Sequence, residues 1–129
     1  MAERRDTWEQ GDLYDGFIGR WSRAVARQFL AWLDEPPGGQ WLDVGCGTGA
    51  LTETILRSCA PRAVTGVDPS TGFIEFARRQ VRDARASFEV GDAQALRVAA
   101  AALDVVVSGL VLNFVPDPAR AAEIGRAHV

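Results

Sequence analysis

The chain has 129 residues, 47% of them apolar and 24% charged, with 14 basic side chains against 17 acidic ones. That is room for one domain with its own core and no need of disulfide or metal staples, while a net charge of −3 offers no general attraction to phosphate or anionic lipid. Cys46 and Cys59 make no disulfide framework, and no apolar run approaches the roughly 20 residues of a membrane span, so a cytoplasmic protein with no nucleic-acid and no membrane partner is expected.

Residues 1–10 are polar and lead into no signal core. Residues 12–19 mix Gly and Asp with Leu13, Tyr14, Phe17 and Ile18, as an ordered loop or short helix would. From Arg20 the pattern is helical, with Trp21, Val25, Phe29, Trp32 and Leu33 on one face, until Pro36-Pro37-Gly38-Gly39 ends it. Residues 41–44 read as a buried strand running into Gly45-Cys46-Gly47-Thr48-Gly49, after which Leu51, Ile55 and Leu56 begin an amphipathic helix. Residues 63–68 form a second strand; Pro69 closes it, and Ser70 is placed to cap a helix with apolar positions Phe73, Ile74, Ala77 and Val81. A third strand over 87–90 ends at Gly91-Asp92, residues 93–102 suggest a weak helical turn, and residues 103–108 form a strand of continuous apolar character. Strands alternating with helices predict an α/β fold with a mostly parallel sheet built from right-handed crossovers.

Taken alone, Gly45-Cys46-Gly47-Thr48-Gly49-Ala50 fits the Gly-x-Gly-x-x-Ala variant of the dinucleotide fingerprint, or a bare strand-to-helix turn. Three glycines in five residues exceed what a turn needs and favour a ligand. Asp43 narrows the ligand. A carboxylate two residues before the first glycine would repel a pyrophosphate, whereas S-adenosylmethionine brings a positive ammonium and a positive sulfonium with no phosphate.

At this point a family is matched. Leu42-Asp43-Val44-Gly45-Cys46-Gly47-Thr48-Gly49 resembles the first motif of the class I S-adenosylmethionine-dependent methyltransferases, Rossmann-like three-layer sandwiches in which this loop wraps the methionine part of the cofactor. Asp68, 23 residues after Gly45, with Pro69 behind it, matches the position whose carboxylate takes the ribose hydroxyls; an N-terminal cap for the next helix is its other role. Gly91-Asp92-Ala93 resembles the third-strand motif that meets the adenine. Residues 103–108, ending in Ser108, resemble the fourth-strand motif, after which residues 109–113, Leu110 among them, would line the cofactor beside the substrate. Residues 14–21 are similar to the lid segment found before the first strand in many small-molecule members.

The resemblance implies transfer of the sulfonium methyl to a small-molecule acceptor by in-line displacement, with alignment of donor and acceptor as the protein's main task. If the acceptor needs a base, Tyr14 is the first candidate and Asn113 a weaker contact, although packing or capping suits either better. His128, the penultimate residue and the sole histidine, has no partner pattern. Cys46 is a small residue tolerated in the loop rather than a reactive thiol, and no cluster has metal-ligand spacing. Arg78, Arg82 and Arg85 suit a solvated helix face, and Trp21, Phe29 and Trp32 suit packing.

The family's sheet has seven strands, of which four are written here. The expected division is therefore a lid and helix over residues 1–38, a partial cofactor-binding domain over 39–123, and a suspect tail over 124–129. Those last six residues can be encoded by ATC GGA AGA GCA CAC GTC, which resembles a common sequencing-library adapter, so the natural frame is expected to end near Glu123. The unpaired edge of the fourth strand would invite self-association. Two other readings stay open: a NAD-type or other nucleotide-binding Rossmann protein, and a non-catalytic remnant or self-associating subunit.

Overall fold

In the computed structural model the described residues are 20–92 and 102–109. The 12–19 segment with Tyr14, residues 93–101 of the turn expected over 93–102, with Ala93, residues 110–129 with Leu110, Asn113, His128 and the suspect tail, and the side chain of Trp21 lie outside them.

Helix α1 (Arg20–Leu33) is followed by β1 (Gln40–Val44), α2 (Ala50–Ser58), β2 (Ala63–Asp68), α3 (Thr71–Gln80), β3 (Ala86–Val90) and β4 (Val105–Ser108). All four strands are parallel, in the order β3-β2-β1-β4, which is the α/β, Rossmann-like arrangement expected. The third strand begins one residue early, and the fourth is confined to its last four residues. Ser70 caps α3, its hydroxyl accepting the Phe73 N–H at 3.2 Å. Among the described residues no helix is long and apolar enough to cross a membrane.

Alternation along the strands divides the core in two. Trp41, Val64, Phe88, Val105 and Val107 form one layer with Leu30 of α1, Ile55 and Leu56 of α2, and Ile74 and Ala77 of α3. Leu42, Val44 and Val67 are buried on the opposite face, beside the half-buried Leu103 and Val106. Both faces are covered at the centre of the sheet, as a parallel sheet requires.

Three expectations need correction. Helix α1 buries Ala26 and Leu30 and packs the half-buried Phe29 and Leu33 of the expected stripe against the core, while Val25 is 61% and Trp32 78% exposed; the buried face is rotated from the expected one. Trp32 is in ring contact with Phe29 at 6.3 Å. Arg78 and Arg85 are not simply solvated: Arg78 donates twice to the Phe88 carbonyl, at 2.6 and 3.2 Å, and Arg85 reaches the Leu56 carbonyl at 3.2 Å while pairing with Asp83 at 2.8 Å. Nor do the three arginines share a helix, since α3 ends at Gln80.

Gly66, in the middle of β2, is where the loop after β1 presses on the sheet. A Cβ there would lie 2.8 Å from Phe88 Cδ1 and 2.9 Å from Cys46 Sγ. Gly66→Ala is expected to destabilise the fold by about 1–3 kcal/mol, as overpacking does; a chemical denaturation midpoint at or above that of the unaltered chain would show that the loop yields.

Candidate cofactor site

Strand order reverses beside β1: β2 and β3 lie to one side, and the chain returns to place β4 on the other. In open α/β sheets the crevice outside the carboxyl ends at such a switch point is the ligand position. Asp43 and the glycine loop, Asp68, Gly91-Asp92 and Ser108 all stand at that edge, at the ends of β1, β2, β3 and β4.

The loop turns through three positive φ values, 71° at Gly45, 56° at Gly47 and 92° at Gly49, a backbone that side-chain-bearing residues seldom adopt. At Gly49 a Cβ would also press on Val81 at 3.2 Å, whereas at Gly47 it would meet nothing within 4 Å. Gly49 therefore seats α2 against α3, and Gly47 faces open space.

Most of the loop's amides are engaged. Gly45 and Cys46 N–H both donate to the Val67 carbonyl at 2.7 and 3.0 Å, and Gly49 N–H donates to the Cys46 carbonyl at 2.9 Å. Gly47 N–H donates to Asp68 Oδ2 at 3.0 Å. A pyrophosphate cradle needs such amides directed at the ligand; here four are held by the protein itself. Thr48 is buried.

The carboxylates dominate what remains. Asp68 is buried and holds two amides at once, Gly47 N–H and, through Oδ1 at 2.9 Å, Ser70 N–H. It thus ties the loop to the start of α3, and each oxygen retains a second lone pair for a ligand hydroxyl. Burial raises its pKa above the ordinary carboxylate value despite those two bonds.

Asp43 does not stand open at the mouth as its sequence position suggests. Its side chain is 1% exposed, packed under α2, with Oδ2 accepting the Thr52 hydroxyl at 2.7 Å and Oδ1 without a partner. Burial, with the Asp68 carboxylate adding repulsion, pushes its pKa up to about 7. Thr52 was missed by sequence reasoning; its signal was a threonine on the same helix face as Ile55 and Leu56, where an apolar residue is expected.

Cys46 turns into the core against Gly66, and burial together with Asp43 and Asp68 raises its thiol well above the usual range. It is a packing residue, not a nucleophile. Ser108, paired in register with Val44, has a buried hydroxyl with no partner. Pro69 and Asp92 are exposed at the same edge. Among the described residues no three His, Cys, Asp or Glu side chains form a metal-binding group.

The sequence and the fold are matched in known proteins. A family profile described as a methyltransferase domain covers residues 42–126. The chain belongs to this methyltransferase domain family. It is 35% identical over 105 residues to malonyl-[acyl-carrier protein] O-methyltransferase of Serratia marcescens, covering 81% of this chain and 40% of that protein. It is 34% identical over 115 residues to trans-aconitate 2-methyltransferase of Deinococcus radiodurans, covering 88% and 42%. A solved structure described as the complex between the Haloferax volcanii Trm112 methyltransferase activator and a methyltransferase superposes with a TM-score of 0.81 at 25% identity, covering 92% of this chain and 52% of that one. The chain thus spans less than half the length of these two sequence relatives.

The pH dependence of folding follows from Asp43. Unfolded, its carboxyl ionises near the ordinary 3.8; folded, it keeps its proton to about 7. Between those values the folded state binds more protons, so stability falls as pH rises from about 4 to 7 and is level above. The raised pKa of Asp68 acts in the same direction. The urea midpoint should drop between pH 5 and pH 7.5, and Asp43→Asn, which keeps an acceptor for Thr52, should shrink that drop; an equal drop in the variant would contradict the assignment to Asp43.

Proposed function

We propose that the chain is the cofactor-binding part of an enzyme that moves a methyl group from S-adenosylmethionine to a small-molecule acceptor. The observation that carries this reading is the pairing, at one sheet edge, of a glycine loop whose amides are already engaged with two buried carboxylates. That chemistry suits a ligand bearing positive charge and no phosphate, and argues against a NAD-type ligand. The unpartnered Ser108 Oγ, at the end of β4 beside the switch point, is a polar atom that a ligand would satisfy.

In this reading Asp43, Gly45, Cys46, Gly47, Thr48 and Gly49 surround the methionine part, Cys46 by its backbone. Asp68 and Pro69 meet the ribose, Asp92 and Ala93 the adenine, and Ser108 and Leu110 lie toward the acceptor. S-adenosylmethionine supplies a methyl group on a positive sulfur, an already activated leaving group. The chain's own work is to orient that group, withhold water and fix the approach of the acceptor. One relative named above is called after trans-aconitate, a small carboxylate, and the other after a malonyl group on an acyl-carrier protein, which supports a small acyl or carboxylate group as the acceptor here. Among the described residues the outer edge of β4 has no paired strand, since β4 pairs with β1 alone; self-association belongs to that edge and is read by sedimentation at several concentrations.

Calorimetric titration tests the reading: S-adenosylmethionine should bind and NAD should not, and the reverse pattern would overturn it. Asp68→Ala should weaken S-adenosylmethionine about 10- to 100-fold, the order of one or two lost hydrogen bonds to a carboxylate. Unchanged affinity would leave Asp68 only its bonds to Gly47 and Ser70.

A further inference from the structure

In the placement given above Asp43 lies at the methionine part of the cofactor, yet the Asp43–Thr52 couple is an unusual thing to build into a core. A carboxyl group is closed off from solvent, Oδ2 accepts the Thr52 hydroxyl at 2.7 Å with the Thr52 backbone N–H adding to it, and Oδ1 receives nothing. Ionised, such a group carries an uncompensated charge in the interior. Its surroundings do not relieve it. From β2 the nearby titratable group is Asp68, another carboxylate, and from the loop it is the Cys46 thiol. β4 sets Val107 alongside, and on α2 Glu53 is engaged with Arg57 at 3.1 Å and Arg23 at 4.0 Å. Among the described residues, the interactions that act on Asp43 come from Thr52 and Asp68, and neither is a cation.

We propose that Asp43 is a proton-linked element of the cofactor site: on the acidic side of neutrality it is protonated when no cation is near, and it releases that proton as a positively charged ligand settles on the glycine loop. The inference rests on the S-adenosylmethionine reading and adds to it a regulation by pH. The geometry supplies the coupling. Asp43 lies two residues before the loop, on the strand that leads into it, and Asp68 joins the two by repelling Asp43 while holding Gly47 N–H. A cation there favours the ionised form of both carboxylates, and linkage requires that whatever favours ionisation be bound more tightly as pH rises. Thr52 is a positioning residue. Its hydroxyl stabilises the carboxylate, so it sets the pH at which the change occurs.

The balance is simple: one O–H bond of the Asp43 carboxyl breaks and the proton passes to solvent buffer, with no covalent change in the ligand. With the carboxyl half-titrated at about 7, the affinity for S-adenosylmethionine should be about tenfold higher at pH 8 than at pH 6, because about one proton leaves per ligand bound at the lower pH.

Calorimetry of the full chain with S-adenosylmethionine, at pH 6 in two buffers of different ionisation enthalpy, counts the protons directly and needs no variant. About one proton released supports the proposal; binding with none released overturns it and leaves the cofactor reading intact. Absence of binding at pH 6 and pH 8 overturns both. Asp43→Asn should bind with an affinity that is level between pH 6 and 8, and persistence of the tenfold change there would assign the proton to Asp68 and overturn the proposal. Thr52→Val should move the midpoint of the pH profile upward, which a purely structural role would not do; an unmoved midpoint counts against Thr52 as the setting residue.

Discussion

The glycine loop is fastened to the neighbouring strand, and the site depends on that attachment. Two consecutive amides, of Gly45 and Cys46, share the Val67 carbonyl; the Cys46 side chain rests on the bare backbone of Gly66; and Gly47 hangs from the Asp68 carboxylate. Each contact joins the segment after β1 to β2. The loop therefore takes its position from the centre of the sheet, and α2 starts from that position at Gly49, against Val81 and Ala77. A loop held this way is preorganised for a ligand, and it has few donors left for one.

That scarcity decides the electrostatics. A glycine loop at a helix N-terminus is ordinarily an anion site, because its amides and the helix dipole both present positive charge. Here the amides are turned inward and carboxylates stand beside them, so the same backbone shape acquires the opposite preference. The cost falls on folding: two buried acids, both with raised pKa values, work against the ionised folded state near neutral pH. A cationic ligand lowers that cost, which makes the least favourable feature of the empty fold the one most improved by binding. Sites that violate a packing rule without local compensation are the expected places for function.

Features written over short stretches of sequence were legible. Short apolar stretches bounded by turn residues marked the strands, three glycines the loop and Ser70 the cap, each because a few adjacent residues determine the local geometry. The order of acidic and glycine positions along the chain was enough to suggest the family. What could not be read depends on contacts between distant residues. The stripe of Trp21, Val25, Phe29 and Trp32 has a valid helical period, but period alone does not fix which neighbouring stripe turns inward, and the small Ala26 won over the larger Val25. Asp43 was placed correctly on its strand, yet its burial follows from α2 folding over it, with Thr52 nine residues away. Gly66 carried a faint signal, since a glycine inside a strand often marks a close approach, but nothing in the sequence says that Cys46 is what approaches.

The position of β1 gives these contacts their reach. It is the strand between β2, which holds the loop and the Asp68 carboxylate, and β4, whose last residue presents the unpartnered Ser108 hydroxyl. Asp43 lies in register with Gly66 on one side and Val107 on the other. A charge gained or lost at that point is buried, poorly screened by solvent, and shared by the strands that flank the switch point. A change of protonation there acts on the loop side of the crevice through the Asp68 carboxylate, which repels Asp43 and holds the Gly47 N–H.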